Sequence, residues 1–256
     1  MQLEFYKYQG AGNDFIIIDN RNEKIKLSKK QIAFLCDRRF GIGADGLMYL
    51  QNDVGSDFKM VYFNSDGSES TMCGNGGRCI TKFAKSLGII KQKTIFRAID
   101  GMHQAEVSER NIRLQMIDVP SVELFKGGAI INTGSPHFIK EVTSLDSYKV
   151  FNEGRKIRNR KQFGAKGINV NFVEYSNGIL NIRTYERGVE DETLSCGTGV
   201  TAAALYSYFA FGKKSNCVLN TKGGKMKVSF DRKEEGFVNV WLEGPAEFVF
   251  KGSVEV

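Results

Sequence analysis

The stretches Cys73-Gly-Asn-Gly76 and Cys196-Gly-Thr-Gly199 decide how this sequence folds. Each sets a cysteine directly before a Gly-x-Gly turn, and the two cysteines stand 123 residues apart. The same separation relates Asp14-Phe15 to His137-Phe138, Phe40-Gly41 to Phe163-Gly164, and Gly101 to Gly224. Four matches in chain order at one spacing point to a duplicated half of about 120 residues. The register drifts near the ends of the halves, where Asp118-Val-Pro120 resembles Glu243-Gly-Pro245.

Working outward from the cysteine turns, each half reads alike. Strands come first (Glu4 to Lys7 and Phe15 to Asp19), with a middle strand at Phe58 to Phe63 in one half and Leu180 to Tyr185 in the other. The Gly-rich turn follows, then a helix. In the first half Ile80, Phe83, Ala84 and Leu87 recur at i, i+3, i+4 and i+7, and Gly88 is a natural stop. In the second, Val200 to Phe211 is apolar nearly all round, which suits a helix buried on every side. Strands at Thr94 to Ile99, Gln104 to Val107, Lys225 to Phe230 and Gly236 to Leu242 complete the halves, and Gly-Gly pairs at 127–128 and 223–224 mark turns. The expected fold is α/β: two pseudo-symmetric domains from an internal duplication, each a curved, mostly antiparallel sheet wrapped around a central helix. The halves are placed at residues 1–118 plus 246–256, holding Cys73, and 119–245, holding Cys196. A cleft between such domains is a common place for a ligand.

Composition narrows the function. A chain of 256 residues with 41% hydrophobic and 25% charged residues is that of a globular protein. The net charge of +7 admits anionic partners, but Lys and Arg are scattered, and the densest run, Arg155 to Lys161, reads as a solvated loop or helix face. A nucleic-acid partner is therefore not expected. The start carries no export signal and no stretch approaches the length of a membrane helix, so a cytoplasmic protein is expected. Five cysteines without an export signal direct attention to thiol chemistry rather than disulfides. Cys36 and Cys79 fall within apolar-periodic helices and Cys217 in a strand, all three as core residues.

Cys73 and Cys196 differ because both occupy the same turn of the repeat. Glycines there let a ligand approach the backbone. The first turn of a helix has unpaired N–H groups that suit a carboxylate. A thiol at a helix N-terminus has a pKa lowered from about 8.5 towards neutrality. Two such thiols can invert a stereocentre: one thiolate removes a proton from one face of a carbon, and the other, as thiol, returns one to the opposite face. With two histidines in the chain and no zinc spacing around Cys73 and Cys79, a metal site is not expected, and no pyridoxal phosphate setting is apparent. A Cys–His nucleophile using His137 is the rival chemistry, but it leaves the matched pair unexplained.

The stretches Gly10-Ala-Gly-Asn-Asp-Phe15, Phe40-Gly-Ile-Gly-Ala-Asp-Gly46, Phe63-Asn-Ser-Asp-Gly67, Met72-Cys-Gly-Asn-Gly-Gly-Arg78, Gly134-Ser-Pro-His137, Gly167-Ile-Asn-Val-Asn-Phe172 and Tyr185-Glu-Arg-Gly188 followed by Cys196-Gly-Thr-Gly199 together resemble the diaminopimelate epimerase family. The resemblance implies cofactor-independent interconversion of LL- and meso-diaminopimelate in lysine and peptidoglycan synthesis, by a homodimer. It implies that Cys73 and Cys196 are the base and acid, and that Gly74, Asn75, Gly197 and Thr198 hold the reacting carboxylate. Asn13, Asn64, Asn169, Glu186 and Arg187 would hold the far amino-acid end, and His137 and Glu186 would assist the cysteines in changing protonation state. On their own, Asn13 and Asn64 also read as turn or cap residues and Arg187 as a surface arginine. Ser135 stands where the family often has Asn, and Gly46 where some relatives have Gln.

Overall fold

A computed structural model describes all 256 residues. The chain forms two compact units, Met1–Leu114 with Gly244–Val256, and Gln115–Glu243. No helix is long and apolar enough to cross a membrane.

The first unit runs β1 (Gln2–Gly10), β2 (Asn13–Asp19), α1 (Lys29–Cys36), β3 (Gly46–Gln51), β4 (Phe58–Asn64), the short β5 (Glu69–Ser70), α2 (Gly74–Ser86), β6 (Lys93–Ala98), β7 (Gly101–Val107) and β8 (Asn111–Gln115). β1 and β2 pair antiparallel, β2 and β3 parallel, β3 and β4 antiparallel, β4 and β6 parallel, and β6–β7–β8 antiparallel. The second unit runs β9 (Glu123–Phe125), β10 (Gly128–Asn132), β11 (Pro136–Glu141), α3 (Val150–Arg158), β12 (Asn169–Ser176), β13 (Ile179–Glu186), the short β14 (Asp191–Thr193), α4 (Gly197–Phe211), β15 (Asn216–Thr221), β16 (Gly224–Lys233) and β17 (Gly236–Pro245). From β10 onward its pairings follow the same series: antiparallel, parallel, antiparallel, parallel, then two antiparallel steps. A last strand, β18 (Glu247–Glu255), returns to the first unit and pairs antiparallel with β1.

Hydrophobic patterning explains why each unit holds a helix on either side of its sheet. The run Phe15-Ile-Ile-Ile18 in β2 is buried at every position, as expected of a strand paired in parallel and covered on both faces. Ile16 and Ile18 meet Ile32 and Leu35 of α1 together with Leu3, Phe5, Leu47 and Tyr49. In the second unit Phe138, Val170, Phe172 and Tyr185 meet Val150 and Ile157 of α3 in the same manner. The inner helices α2 and α4 touch strands on several sides, β1, β2, β3, β7 and β18 for α2, and β10 to β13, β15 and β16 for α4. Gly74 through Thr81 of α2 and Gly199 through Ser207 of α4 are buried. Their threonine and serine hydroxyls return to the helix backbone, Thr81 donating to Gly77 O, Thr201 to Gly197 O and Ser207 to Ala204 O, while the Tyr206 hydroxyl donates to Glu141. Gly212, in the left-handed conformation at φ 67°, ends α4.

Both inner helices reach further back than the apolar periodicity that begins at Ile80 and Val200, starting at Gly74 and Gly197. Glycine-rich segments read as turn because glycine weakens a helix by about 1 kcal/mol per residue relative to alanine. Here burial of the first turn overrides that preference, and the cysteines become the N-cap residues.

Candidate active site

Cys73 takes extended backbone angles (φ −102°, ψ 147°) before α2, and its Sγ accepts a hydrogen bond from Gly76 N at 3.2 Å. A Cβ on Gly76 would lie 3.1 Å from that sulfur, so the third residue of the turn has little room for a side chain. Cys73 is partly exposed while Gly74 and Asn75 behind it are buried. Asn75 Nδ2 donates to Asn13 Oδ1 at 3.3 Å, and Asn13 Nδ2 in turn donates to Asp45 Oδ2 at 2.5 Å. Asn64, exposed at the end of β4 and paired in register with Gly46, is not hydrogen-bonded to this group. In place of a longer residue at 46 there is a close fit: a Cβ there would run into the Tyr62 ring and Phe63 O.

Beneath the turn lies a residue that the sequence pattern passes over. Arg78 is fully buried, donating to Gly74 O at 3.1 Å, Asn75 Oδ1 at 2.7 Å and Pro245 O at 3.3 Å. Burial pushes its pKa down to about 10, which leaves it charged at neutral pH, while nearby Cys79 and Cys73 act in the opposite sense. Its charge therefore sits under the N-terminus of α2, braced on the residues expected to hold a carboxylate. Further out, Asp14 is tied to Lys7 at 2.8 Å and Arg38 at 2.6 Å. Burial alone would raise its pKa, but these two cations outweigh it and hold the carboxyl near 2.

In the second unit Cys196 caps α4 and is 8% exposed, with Sγ 3.5 Å from Thr198 Oγ1. Thr198 Oγ1 is also 2.9 Å from His137 Nε2, and Thr133 donates to Thr198 O at 2.8 Å. His137 is wholly buried, and burial, helped by the nearby Arg187 charge, presses its pKa down to about 3. The ring is neutral at neutral pH. Its other nitrogen, Nδ1, meets Asn171 Nδ2 at 3.0 Å, and Thr184 donates to Asn171 Oδ1 at 2.9 Å. Histidine and cysteine are thus joined through the Thr198 hydroxyl and not directly, unlike a Cys–His nucleophile pair.

A second cluster gathers at the start of β12. Asn169 Nδ2 donates to Ser135 Oγ at 2.8 Å and to Pro136 O at 3.1 Å, and Asn169 Oδ1 accepts from Arg187 N at 2.9 Å. Arg187 Nη2 reaches the same Ser135 Oγ at 3.3 Å. The parallel register of β11 and β12, which sets His137 opposite Asn169, brings these residues together. Ser135 is therefore a shared partner of two predicted site residues despite being shorter than asparagine. Glu186, at the end of β13, accepts from Thr193 Oγ1 at 2.8 Å.

Within each unit, then, hydrogen bonds join Asn13 to Asn75 beside Cys73, and His137 to Thr198 beside Cys196, with Asn169 and Arg187 gathered on Ser135; Asn64 makes no such link. The sequence family described as diaminopimelate epimerase matches residues 5–120 and 129–249. The chain belongs to the diaminopimelate epimerase family. A diaminopimelate epimerase of Flavobacterium psychrophilum is 53% identical over 98% of this chain and 100% of its own length. One from Chlorobaculum tepidum is 44% identical over 96% and 98% respectively. Among solved structures, a phenazine biosynthesis protein of the PhzF family from Bacillus anthracis superposes with a TM-score of 0.76 at 15% identity, covering 100% of both chains. That likeness concerns the fold: a two-unit α/β architecture with strands around a buried helix in each unit extends well beyond the epimerase family.

Arg78 and Asn171 lie within the quoted motif stretches but carry no assigned role there, and Thr184 lies outside them. Asn171 carried one usable signal, since Asn169 and Asn171 are two apart on a strand and so share a face, with Asn171 wholly buried. Arg78 carried another, a charge set between Gly77 and Cys79 in the most apolar-facing part of a helix.

Proposed function

We propose that the protein converts LL-diaminopimelate to meso-diaminopimelate by a two-base mechanism, with Cys73 and Cys196 exchanging roles as thiolate base and thiol acid. The observation that supports this most strongly is local and repeated: each cysteine is the N-cap of the buried helix that occupies the same place in each unit's strand order. A helix start offers unpaired N–H groups, and these favour a substrate carboxylate whose charge grows as the α-proton leaves. Gly74 and Asn75 at one helix start, and Gly197 and Thr198 at the other, are the groups assigned to that carboxylate.

Diaminopimelate carries a second amino-acid head, and the remaining residues suit it. Arg187 can fork onto the distal carboxylate. Glu186 can meet the distal ammonium, and Asn13, Asn64 and Asn169 offer both donors and acceptors. A site built of these groups disfavours amino acids lacking the second head, because its polar groups are then left unpaired. His137 and Glu186 assist the cysteines. The reaction needs neither metal nor pyridoxal phosphate, since thiolate and thiol supply base and acid. A cytoplasmic homodimer serving lysine and peptidoglycan synthesis is the setting we assign to it.

The test is incubation of the purified protein with LL-diaminopimelate in deuterated buffer without added cofactor. The expected result is meso product carrying deuterium at the inverted α-carbon. Absence of both inversion and exchange from freshly reduced protein overturns the proposal.

A further inference from the structure

The geometry points to Glu190 and Arg158 as positioning residues for the distal amino-acid head: through this pair the outer helix α3 holds the turn between β13 and β14 that carries Arg187. The inference deepens the proposed function and rests on it in taking Arg187 as the group that meets the second head.

The turn at residues 187–190 has little else to hold it. Glu186 pairs with Asp191 across the hairpin, and Glu190 N donates to Glu186 O at 2.8 Å. Between these points Gly188 and Val189 are exposed, so no core packing fixes the path. Gly188 has a φ of 94° and Glu190 a φ of 59°. Glycine adopts such a conformation without strain, but a glutamate does so only where its surroundings impose it.

Here the Glu190 carboxylate imposes it by folding back into its own turn. Oε1 accepts from Gly188 N at 3.1 Å and from Arg158 Nε at 3.0 Å and Nη2 at 2.9 Å, and Oε2 accepts from the Tyr185 hydroxyl at 3.1 Å. One charge thereby joins three segments: the turn itself, the buried end of β13 and the last residue of α3. Burial alone would raise the carboxyl pKa, but the Gly188 N–H and the Arg158 guanidinium outweigh it and hold the group below its ordinary value. A lone surface ion pair does little; this one is forked and is completed by two further donors from ordered elements.

Arg158 is itself well seated. Its side chain is 19% exposed, and Nη1 donates to Asn159 Oδ1 at 3.0 Å. The guanidinium passes over Gly167, where a Cβ would lie 2.9 Å from it. Gly167 leads into Asn169, which accepts from Arg187 N and donates to Ser135. The guanidinium therefore lies against both segments that carry residues assigned to the distal head. Helix α3 sits close on β13 at Gly154, where a Cβ would lie 2.4 Å from Tyr185 Cβ. The Arg187 tip reaches Ser135 Oγ at 3.3 Å, so its aim is set mainly by the backbone of the turn. With the pair intact the turn is ordered before substrate arrives, and binding need not order it.

Two readouts test this, one of them independent of activity. The first is steady-state epimerisation of LL-diaminopimelate. Glu190→Gln and Arg158→Gln are each expected to raise KM about three- to tenfold, the effect of having to order a long side chain on binding, with kcat within about twofold of wild type. The double variant is expected to be no worse than the more impaired single variant, and Arg158→Lys, which keeps the charge, to recover most of the affinity. The second readout is hydrogen exchange of the ligand-free protein, followed on peptides spanning residues 186–193. Exchange there is expected to be about tenfold faster in both glutamine variants, while the exchange of α4 is unchanged and the urea midpoint shifts little. Unchanged KM and unchanged exchange in both variants overturn the inference. So does a fall in kcat at unchanged KM, which assigns the pair to the chemical step, or a lowered urea midpoint with faster exchange throughout the second unit, which assigns it to stability alone. If the wild type itself leaves diaminopimelate unchanged, the functional reading fails, and the exchange result alone decides whether the pair holds the turn.

Discussion

Gly199→Ala is a small change whose sign separates helix propensity from site packing. In an exposed helix interior, alanine for glycine stabilises by up to about 1 kcal/mol. At position 199, in the first turn of α4, the added methyl would overlap Asn171 Oδ1 and press on the His137 ring. Neither neighbour can retreat freely, because Asn171 is held by Thr184, His137 and Phe138 O in a fully buried setting. Overpacking of this kind costs about 1–3 kcal/mol. Set against the propensity gain, net destabilisation of up to about 2 kcal/mol is expected, read as a lowered urea midpoint at unchanged m-value. Turnover should fall as well, since the displaced side chains orient Thr198. Asn171→Ala removes the obstacle, so Gly199→Ala in that background is expected to be neutral or slightly stabilising. The double-mutant cycle should therefore show a coupling above about 1 kcal/mol. Additive effects within about 0.5 kcal/mol refute the reasoning.

Arg78→Met should destabilise the fold by about 3–5 kcal/mol, because Gly74 O, Asn75 Oδ1 and Pro245 O lose their donor together; chemical denaturation reads this, and a loss below about 1 kcal/mol contradicts it. His137, with its pKa pressed to about 3 by burial, refuses a proton that the unfolded chain accepts below about 6.5. The unfolded state then binds more protons, so stability falls on acidification from about pH 6.5 towards 3, at up to about 1.4 kcal/mol per pH unit; His137→Gln should remove that slope. Asp14 contributes in a lower window: its carboxyl, near 2 in the fold against 3.8 when free, adds about 2 kcal/mol above pH 4 that is lost as pH falls towards 2. Asp14→Asn should lower stability at neutral pH by a similar amount, because Lys7, 6% exposed, is left without its carboxylate; an unchanged acid-unfolding midpoint in this variant rules the linkage out.

The sequence conveyed most where the physics is local or repeated. The run Phe15–Ile18 reads as a buried strand because nothing polar interrupts it, and Ala202 to Leu205 reads as an all-round buried helix for the same reason. The cysteine turns were legible because the duplication displays them twice. Gly46–Gln51 escaped reading as a strand, since it follows directly on a glycine-rich motif and carries no alternation, being buried on both faces. Helix α3 was seen only as the charged run from Arg155, because its buried residues are just Val150, Gly154 and Ile157, a narrow stripe amid Lys, Arg and Glu. In the site, the residues that set orientation were the ones missed. Asn171 and Arg78 act through partners distant in sequence, His137 and Pro245, and no local pattern announces such an approach.

The reaction channel itself is tested most directly by following a single turnover's worth of LL-diaminopimelate in D₂O with wild type, Cys73→Ala and Cys196→Ala. One solvent deuteron is predicted in each meso molecule made by the wild type, and no meso product from either alanine variant. Meso product that retains the original hydrogen, or an alanine variant that inverts at the wild-type rate, would contradict a mechanism in which both sulfurs carry protons.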